Sequence, residues 1–494
     1  MKVQPMSTDT QRNPHYFDPA KFGITEIGQI QHRDTKDMTS TKFGVGFETL
    51  DRGMFYPEPC YPHLAKLGAK WARIQSGWSK CETEKGVYDF AWLDAIVDGL
   101  LDAGVMPWMS LCFGSKLYMD DPAYPSAVGY VPMYYGDEVI AAWDRYVQAV
   151  VEHFKDRVTY YEVWNEPNIE NFWMPKGVNP VDYAKFVAMT AMSVRKKLPE
   201  ATMIGGCVAA GGYATAFLEA AFEAGMAEHI DILTYHPYRD TPELSSDVED
   251  KTLRQMCNKY KPSLRIWQGE TGTPSIHGGH HDFLCENTTD ITETTQAKWA
   301  IRRLVMDQRN DIEMTSYFHT ADLDKATYYQ SFGKPLKPVM MGLLNGADYS
   351  PKESYHAMRN VCNLFDEDTR LNHLFHAIHF NGQFGSEDKS CEAKFNMDYA
   401  AAITASFERK GYPLYTFWVP NIPVKTYDAL NIELLIIPKA TKEIDEPVLI
   451  DLLTGKVYRV NEYIKNETGV VWGNYVCQIP LTDYPLVVTD RKAL

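Results

Sequence analysis

From about residue 42 onward, short apolar runs rich in aromatic and β-branched residues alternate with longer stretches whose apolar positions recur every three or four residues. The strand-like runs are FGVGF (43–47), WARIQ (71–75), VMPWMSL (105–111), YYEVW (160–164), MIGGC (203–207), DILTYH (231–236), LRIWQ (264–268) and MTSYFH (314–319). Between them lie helical patterns such as FAWLDAIVDGLLDAG (90–104) and VIAAWDRYVQAVVEHFK (139–155). Eight strand–helix units predict a closed (β/α)8 TIM barrel. An open doubly wound sheet would carry a phosphate-binding glycine loop after its first strand, and GVGFETLDRG has neither the GxGxxG nor the GxxxxGK[ST] spacing.

Beyond residue 350 the pattern changes. A helix, SYHAMRNVCNLFD, is followed by short alternating runs at 401–409, 414–420, 433–438 and 485–490, with a turn at TGK (454–456). This pattern predicts an all-β, sandwich-like accessory domain. The expected division is an N-terminal arm over 1–41 that can pack on the accessory domain, a barrel over 42–365 that carries the chemistry, and the accessory domain over 366–494.

Composition narrows the class. The apolar fraction of 45% and aromatic fraction of 13% suffice for large cores and for rings that stack on flat ligands. A formal net charge of −16, without a basic cluster, argues against nucleic acid as a partner. No apolar run reaches the ~18 residues of a membrane span, and the first 25 residues lack a signal-peptide core, so the expectation is a cytoplasmic protein away from membranes. Nine cysteines without CxxC spacing point to reduced, buried thiols rather than a disulfide framework or zinc cage. Homo-oligomerisation stays open.

In a TIM barrel the chemistry sits at the C-terminal ends of the strands. Glu166 ends the fourth strand in YYEVWNEPN, where Pro167 stops it at once, and Glu270 follows the seventh in LRIWQGETGTP. Strands four and seven face each other across an eight-stranded ring, so these carboxyls can meet over the mouth. Hydrolysis of a glycosidic bond needs such a pair, one to protonate the leaving oxygen and one to attack the anomeric carbon.

YYEVWNEPN resembles the acid/base signature of clan A glycoside hydrolases, and the chain is most similar to glycoside hydrolase family 39 over roughly residues 42–360. KLGAKWARIQSGW (66–78), GVYDFAWLD (86–94) and TYHPY (234–238) add to the likeness. The resemblance implies Glu166 as general acid/base and Glu270 as nucleophile, with retention of configuration, and Glu286 or Glu293 as substitutes if Glu270 does not serve. Their carboxyls should then stand about 5–5.5 Å apart. The implied activity is that of a β-xylosidase or related β-glycosidase, with α-L-arabinosidase and α-L-iduronidase types, and transglycosylation, as alternatives. A carbohydrate-binding barrel without turnover is the rival class, and a binding protein has no need of the paired glutamates.

Around the pair, Asn165 can donate to the hydroxyl beside the anomeric carbon. Strand alternation turns Glu162, Trp164 and Glu166 to one face, so Glu162 needs a buried cation. Arg73 can serve Glu162, or keep Glu270 ionised. The family pattern assigns His236 and Tyr238 to the nucleophile and the sugar. Trp173, Trp267, Phe318 and His319 are further candidates for the substrate site, of which any one can instead be core. Long loops at 114–138 and 271–290 suggest a walled pocket that takes chain ends from an oligosaccharide or small glycoside. HGGHHD (277–282) lacks HExxH spacing, and the implied reaction needs neither metal nor cofactor.

Overall fold

The computed structural model describes residues 17–120, 126–209, 212–279, 291–325, 337–380, 402–437, 441–465 and 473–494. The chain divides into two compact units, Gln31–Leu371 and the described part of Met1–Ile30 together with Asn372–Leu494.

The first unit is a closed barrel of eight parallel strands: β1 (Phe43–Gly46), β2 (Trp71–Gln75), β3 (Met106–Leu111), β4 (Tyr160–Val163), β5 (Thr202–Ala209), β6 (Ile232–His236), β7 (Arg265–Thr271) and β8 (Met314–Tyr317). Each strand pairs with its successor, and β8 closes on β1 with Thr315 opposite Phe43. All eight runs read from the sequence are strands. The largest shift in a boundary is at β7, which continues past Gln268 to Thr271 because an irregularity in register lets Thr271 pair with Tyr317. Glu270 therefore stands inside the strand rather than after it.

Helices cover the barrel with apolar stripes. Ala91–Asp102 buries Leu93, Ile96, Val97 and Leu100, and Asp137–Phe154 buries eight residues along one face, including Trp143 and Tyr146. Inside, Trp108, Ile204, Ile232, Trp267 and Met314 pack together, and Trp71 and Tyr160 pack against them. Trp267 stacks on Tyr160 with ring centres 5.6 Å apart. This floor of large rings lies toward the strand starts and leaves the opposite end to polar side chains.

The second unit is all-β, with two antiparallel sheets. One runs in the order Thr25–Gln29, Lys456–Arg459, Pro447–Asp451, Leu486–Asp490, Tyr412–Trp418 and Ile403–Arg409. The other runs His376–Phe380, Leu430–Ile436, Asn474–Leu481 and Tyr463–Ile464. No helix among the described residues is long and apolar enough to cross a membrane.

Candidate active site

The polar end of the barrel is organised by one guanidinium. Arg73, in β2, is fully buried, and four side chains converge on it, two from β4 and β7 and two from the loops after β1 and β4. Its Nε donates to Glu162 Oε2 at 2.6 Å, Nη1 to Glu270 Oε2 at 2.7 Å and to Glu48 Oε1 at 3.3 Å, and Nη2 to Asn165 Oδ1 at 2.9 Å. Burial alone would lower the Arg73 pKa, but Glu162, Glu48 and Glu270 reverse this and raise it well above its usual value. The cation is bonded to Glu162 and to Glu270 at once.

A guanidinium only donates, so the Asn165 atom that faces it is the carbonyl oxygen. The amide NH2 is thereby left to donate elsewhere.

The loop after β4 is held in an unusual backbone. Trp164 and Glu166 have φ of 72° and 46°, in the left-handed region that costs a non-glycine residue about 1 kcal/mol or more. What holds them is on either side. Trp164 N donates to Leu111 O of β3, Glu166 N donates to Cys207 O of β5, and Asn168 bonds both the N–H and the carbonyl of Ala209. The Trp164 ring is buried against Phe113, Trp143, Trp173 and Phe186. The indole thus anchors the inside while Glu166 is turned to the mouth. A strained site held by its surroundings is a common mark of function.

Glu166 and Glu270 face each other. Together with His236 each offers a ligand atom within 4.8 Å of the others. His236, the last residue of β6, places Nδ1 3.0 Å from Glu166 Oε1 and 3.7 Å from Glu270 Oε2. Its closer contact is with Glu166 rather than Glu270. Tyr238, two residues on, donates its hydroxyl to Glu270 Oε1 at 2.7 Å. Burial, and next the charge of Glu270, push the Tyr238 phenol well above its usual value, so it remains a donor. Both oxygens of Glu270 are therefore held, one by Arg73 and one by Tyr238. Gly269 precedes it for lack of room: a Cβ there would stand 3.2 Å from Thr234 Cβ and 3.4 Å from His236 Nε2. The same trio, Glu166, His236 and Glu270, offers atoms close enough to one another to hold a divalent cation, and here His236 Nδ1 instead faces Glu166.

The structure brings together Arg73, Asn165, Glu166, His236, Tyr238 and Glu270, with His319 and Phe318 after β8 at their side. Phe318 lies edge-on to Tyr238, with centres 6.5 Å apart, and next to His319. Trp173 lies in the core, the alternative its sequence left open. It is fully buried, packs on Trp164, Tyr183 and Phe186, and donates Nε1 to Tyr134 Oη, so it supports the β4 loop from behind and has no face for a ligand. Trp267 belongs to the barrel floor. Glu293 opens the helix Glu293–Arg309 and is not in the cluster, while Glu286 and His280–Asp282 of HGGHHD lie outside the described residues.

Nothing in the local pattern marks Glu48, and the fold places it here. It follows β1, is fully buried, and stands between Arg73 and His319, whose Nε2 lies 3.5 Å from Glu48 Oε2. Burial pushes Glu48 up to about 8, with Arg73 opposing and Glu270 adding to the rise. Burial lowers His319 to about 4. A carboxyl immediately after the first barrel strand was the only signal in the sequence.

This constellation can be set beside known proteins. A β-xylosidase of Geobacillus stearothermophilus is 26% identical over 311 residues, which cover 57% of this chain and 58% of that protein. A β-xylosidase of Caldicellulosiruptor saccharolyticus is 24% identical over 266 residues, 46% of this chain and 52% of the relative. The chain spans a little over half the length of these curated relatives. Among solved structures, a family 39 glycoside hydrolase from Bacteroides cellulosilyticus WH2 superposes with a TM-score of 0.59 at 18% identity, covering 92% of this chain and 82% of that one. A GH39 β-xylosidase from Caulobacter crescentus gives 0.56 at 15% identity, covering 94% and 97%. At such identities the likeness is one of fold: a barrel with a β domain. The sequence family described as glycosyl hydrolases family 39 matches residues 75–369, more than half of the chain and the stretch from the last residue of β2 through β8 that contains Glu166 and Glu270. The chain belongs to glycosyl hydrolases family 39.

Proposed function

We propose that this protein is a retaining exo-glycosidase of β-xylosidase type, with Glu166 as general acid/base and Glu270 as nucleophile. The observation that carries the reading is that one oxygen of Glu166, after β4, and one of Glu270, in β7, approach to within 4.8 Å. Retaining enzymes hold the pair about 5–5.5 Å apart, whereas inverting ones leave about 6.5–9.5 Å for a water. The spacing favours attack by Glu270 itself.

In the first step Glu270 forms a bond to the anomeric carbon while Glu166 gives its proton to the departing oxygen. In the second, Glu166 takes a proton from water, which attacks the same carbon and frees Glu270. Arg73 and Tyr238 hold the two oxygens of Glu270 at 2.7 Å each, so the nucleophile meets the sugar in one orientation. The NH2 of Asn165, its carbonyl fixed by Arg73, is the donor for the 2-hydroxyl, where hydrogen bonding strengthens in the transition state. The substrate class follows the β-xylosidases the chain resembles, and the length of the sequence between strands at 114–138 and 271–290 favours a chain end. All seven described cysteines are unpaired and buried, as suits a reducing compartment.

The test is turnover of nitrophenyl β-xyloside, β-glucoside, β-galactoside and α-arabinosides by wild type, Glu166→Ala and Glu270→Ala. The xyloside should be the preferred substrate. Glu270→Ala should be inactive, and Glu166→Ala should lose about 10²–10⁴-fold and recover with azide, which needs no proton from the enzyme to attack the glycosyl intermediate. Full activity in either variant would reject the assignment.

A further inference from the structure

Glu48 has no part in the two steps above, yet it is sealed in beside the nucleophile. Its Oε1 shares Arg73 Nη1 with Glu270 Oε2, at 3.3 and 2.7 Å. Its Oε2 faces His319 Nε2 at 3.5 Å, and neither of these two buried atoms has a hydrogen-bond partner among the described residues. The other ring nitrogen of His319, Nδ1, stands 3.0 Å from the Ala321 carbonyl and 3.3 Å from the Ala321 N–H. With the proton on Nδ1 the ring donates to the carbonyl in the closer contact, and Nε2 is left bare. A bare imidazole nitrogen facing a carboxylate oxygen is repulsive. One proton on Glu48 Oε2 turns the pair into a hydrogen bond and satisfies both atoms.

The charge count agrees. Among the described residues Arg73 is the one Lys or Arg paired with Glu48 and Glu162, both fully buried, so with both ionised at least one negative charge would stay buried without compensation. The backbone makes room for the contact. At Gly46 a Cβ would lie 2.5 Å from Glu48 Oε2 and 3.0 Å from His319 Cδ2. The groups facing Glu48 are Arg73 from β2, Glu162 held on the same guanidinium from β4, Tyr238 after β6, Glu270 in β7 and His319 after β8. Burial, which lifts Glu48 to about 8 and drops His319 to about 4, supports a proton on the carboxyl.

We propose that Glu48 is a positioning residue that works as a neutral carboxylic acid, donating to His319 through Oε2 and accepting from Arg73 through Oε1. It thereby leaves the guanidinium charge to Glu162 and to the nucleophile. The role in turnover rests on the function proposed above.

Glu48→Gln keeps the shape, the donor, the acceptor and the zero charge; Glu48→Ala removes them all. Glu48→Gln should retain kcat/KM within about three-fold and keep the acid limb of its pH profile in place. Glu48→Ala, and Gly46→Ala by displacing the carboxyl, should lose up to about 100-fold in kcat, the cost of a misplaced nucleophile. If Glu48 is instead ionised, Glu48→Gln removes a negative charge beside Glu270, its acid limb moves to lower pH, and kcat/KM falls as far as in Glu48→Ala. That result overturns the proposal. Infrared difference spectra of wild type minus Glu48→Gln should show a protonated carboxyl C=O band at neutral pH that fades as the pH is raised through about 8. Absence of the band overturns it equally. The spectrum needs no turnover, so if no glycoside is cleaved the functional reading fails while the protonation of Glu48 is still decided.

Discussion

Arg73 bears on activity and stability through the same contacts. It is fully buried among Glu48, Glu162 and Glu270. Removing one partner of such a network leaves uncompensated charge, at a cost of about 3–5 kcal/mol. Arg73→Met should therefore unfold at markedly lower denaturant as well as lose activity, and an unchanged midpoint would show that the network carries no stability. Glu48 gives a pH signature of its own. In the folded protein it holds its proton to about 8, against an ordinary value of 4.5. Between those values the folded chain binds more protons than the unfolded one, so this group lowers stability as pH rises. Glu48→Gln removes that slope, and its Tm advantage over wild type should widen from about pH 5 to about pH 8; a difference independent of pH would contradict a buried neutral Glu48. Residues of this kind were unevenly legible. Glu166 and Glu270 stand out because WNEP and QGET follow strand patterns at the fourth and seventh ordinals. Glu48 does not, since its neighbours Arg73, Glu270 and His319 come from distant stretches of chain and meet it only when the barrel closes.

Among the elements, the strands were the most legible, because period-two and continuous apolar runs survive in a buried parallel sheet. Their ends were less so. The prolongation of β7 to Thr271 depends on pairing with Tyr317 across an irregular register, which no local window contains. Trp173 shows the same limit: an aromatic residue in a loop looks alike whether it lines a pocket or props a strand, and only Trp164, Tyr183 and Phe186 around it decide. Helix starts can be tested singly. Asn179 caps Pro180–Lys197 by accepting from the N–H groups of Val181 and Asp182. Asn179→Ala should cost about 1 kcal/mol in chemical denaturation and leave kcat unchanged, because the helix lies outside the ring of strands that presents the site.

For the whole molecule, the barrel explains why residues from 48 to 319 in the chain meet in one cluster. The ring brings the ends of β1, β2, β4, β6, β7 and β8 to a common mouth, with a floor of aromatic rings beneath and the charged cluster above. Family membership and fold were readable from the rhythm of strands and from WNEP. The sugar was not, because its choice turns on a few hydrogen bonds placed by loops. If Glu270 attacks the anomeric carbon as proposed, the sugar leaves with the configuration it had. Proton NMR of the first minutes of nitrophenyl β-xyloside cleavage measures this directly. The β-anomer of xylose should appear first and the α-anomer grow in only by mutarotation; α-xylose as the first-formed product would contradict attack by Glu270.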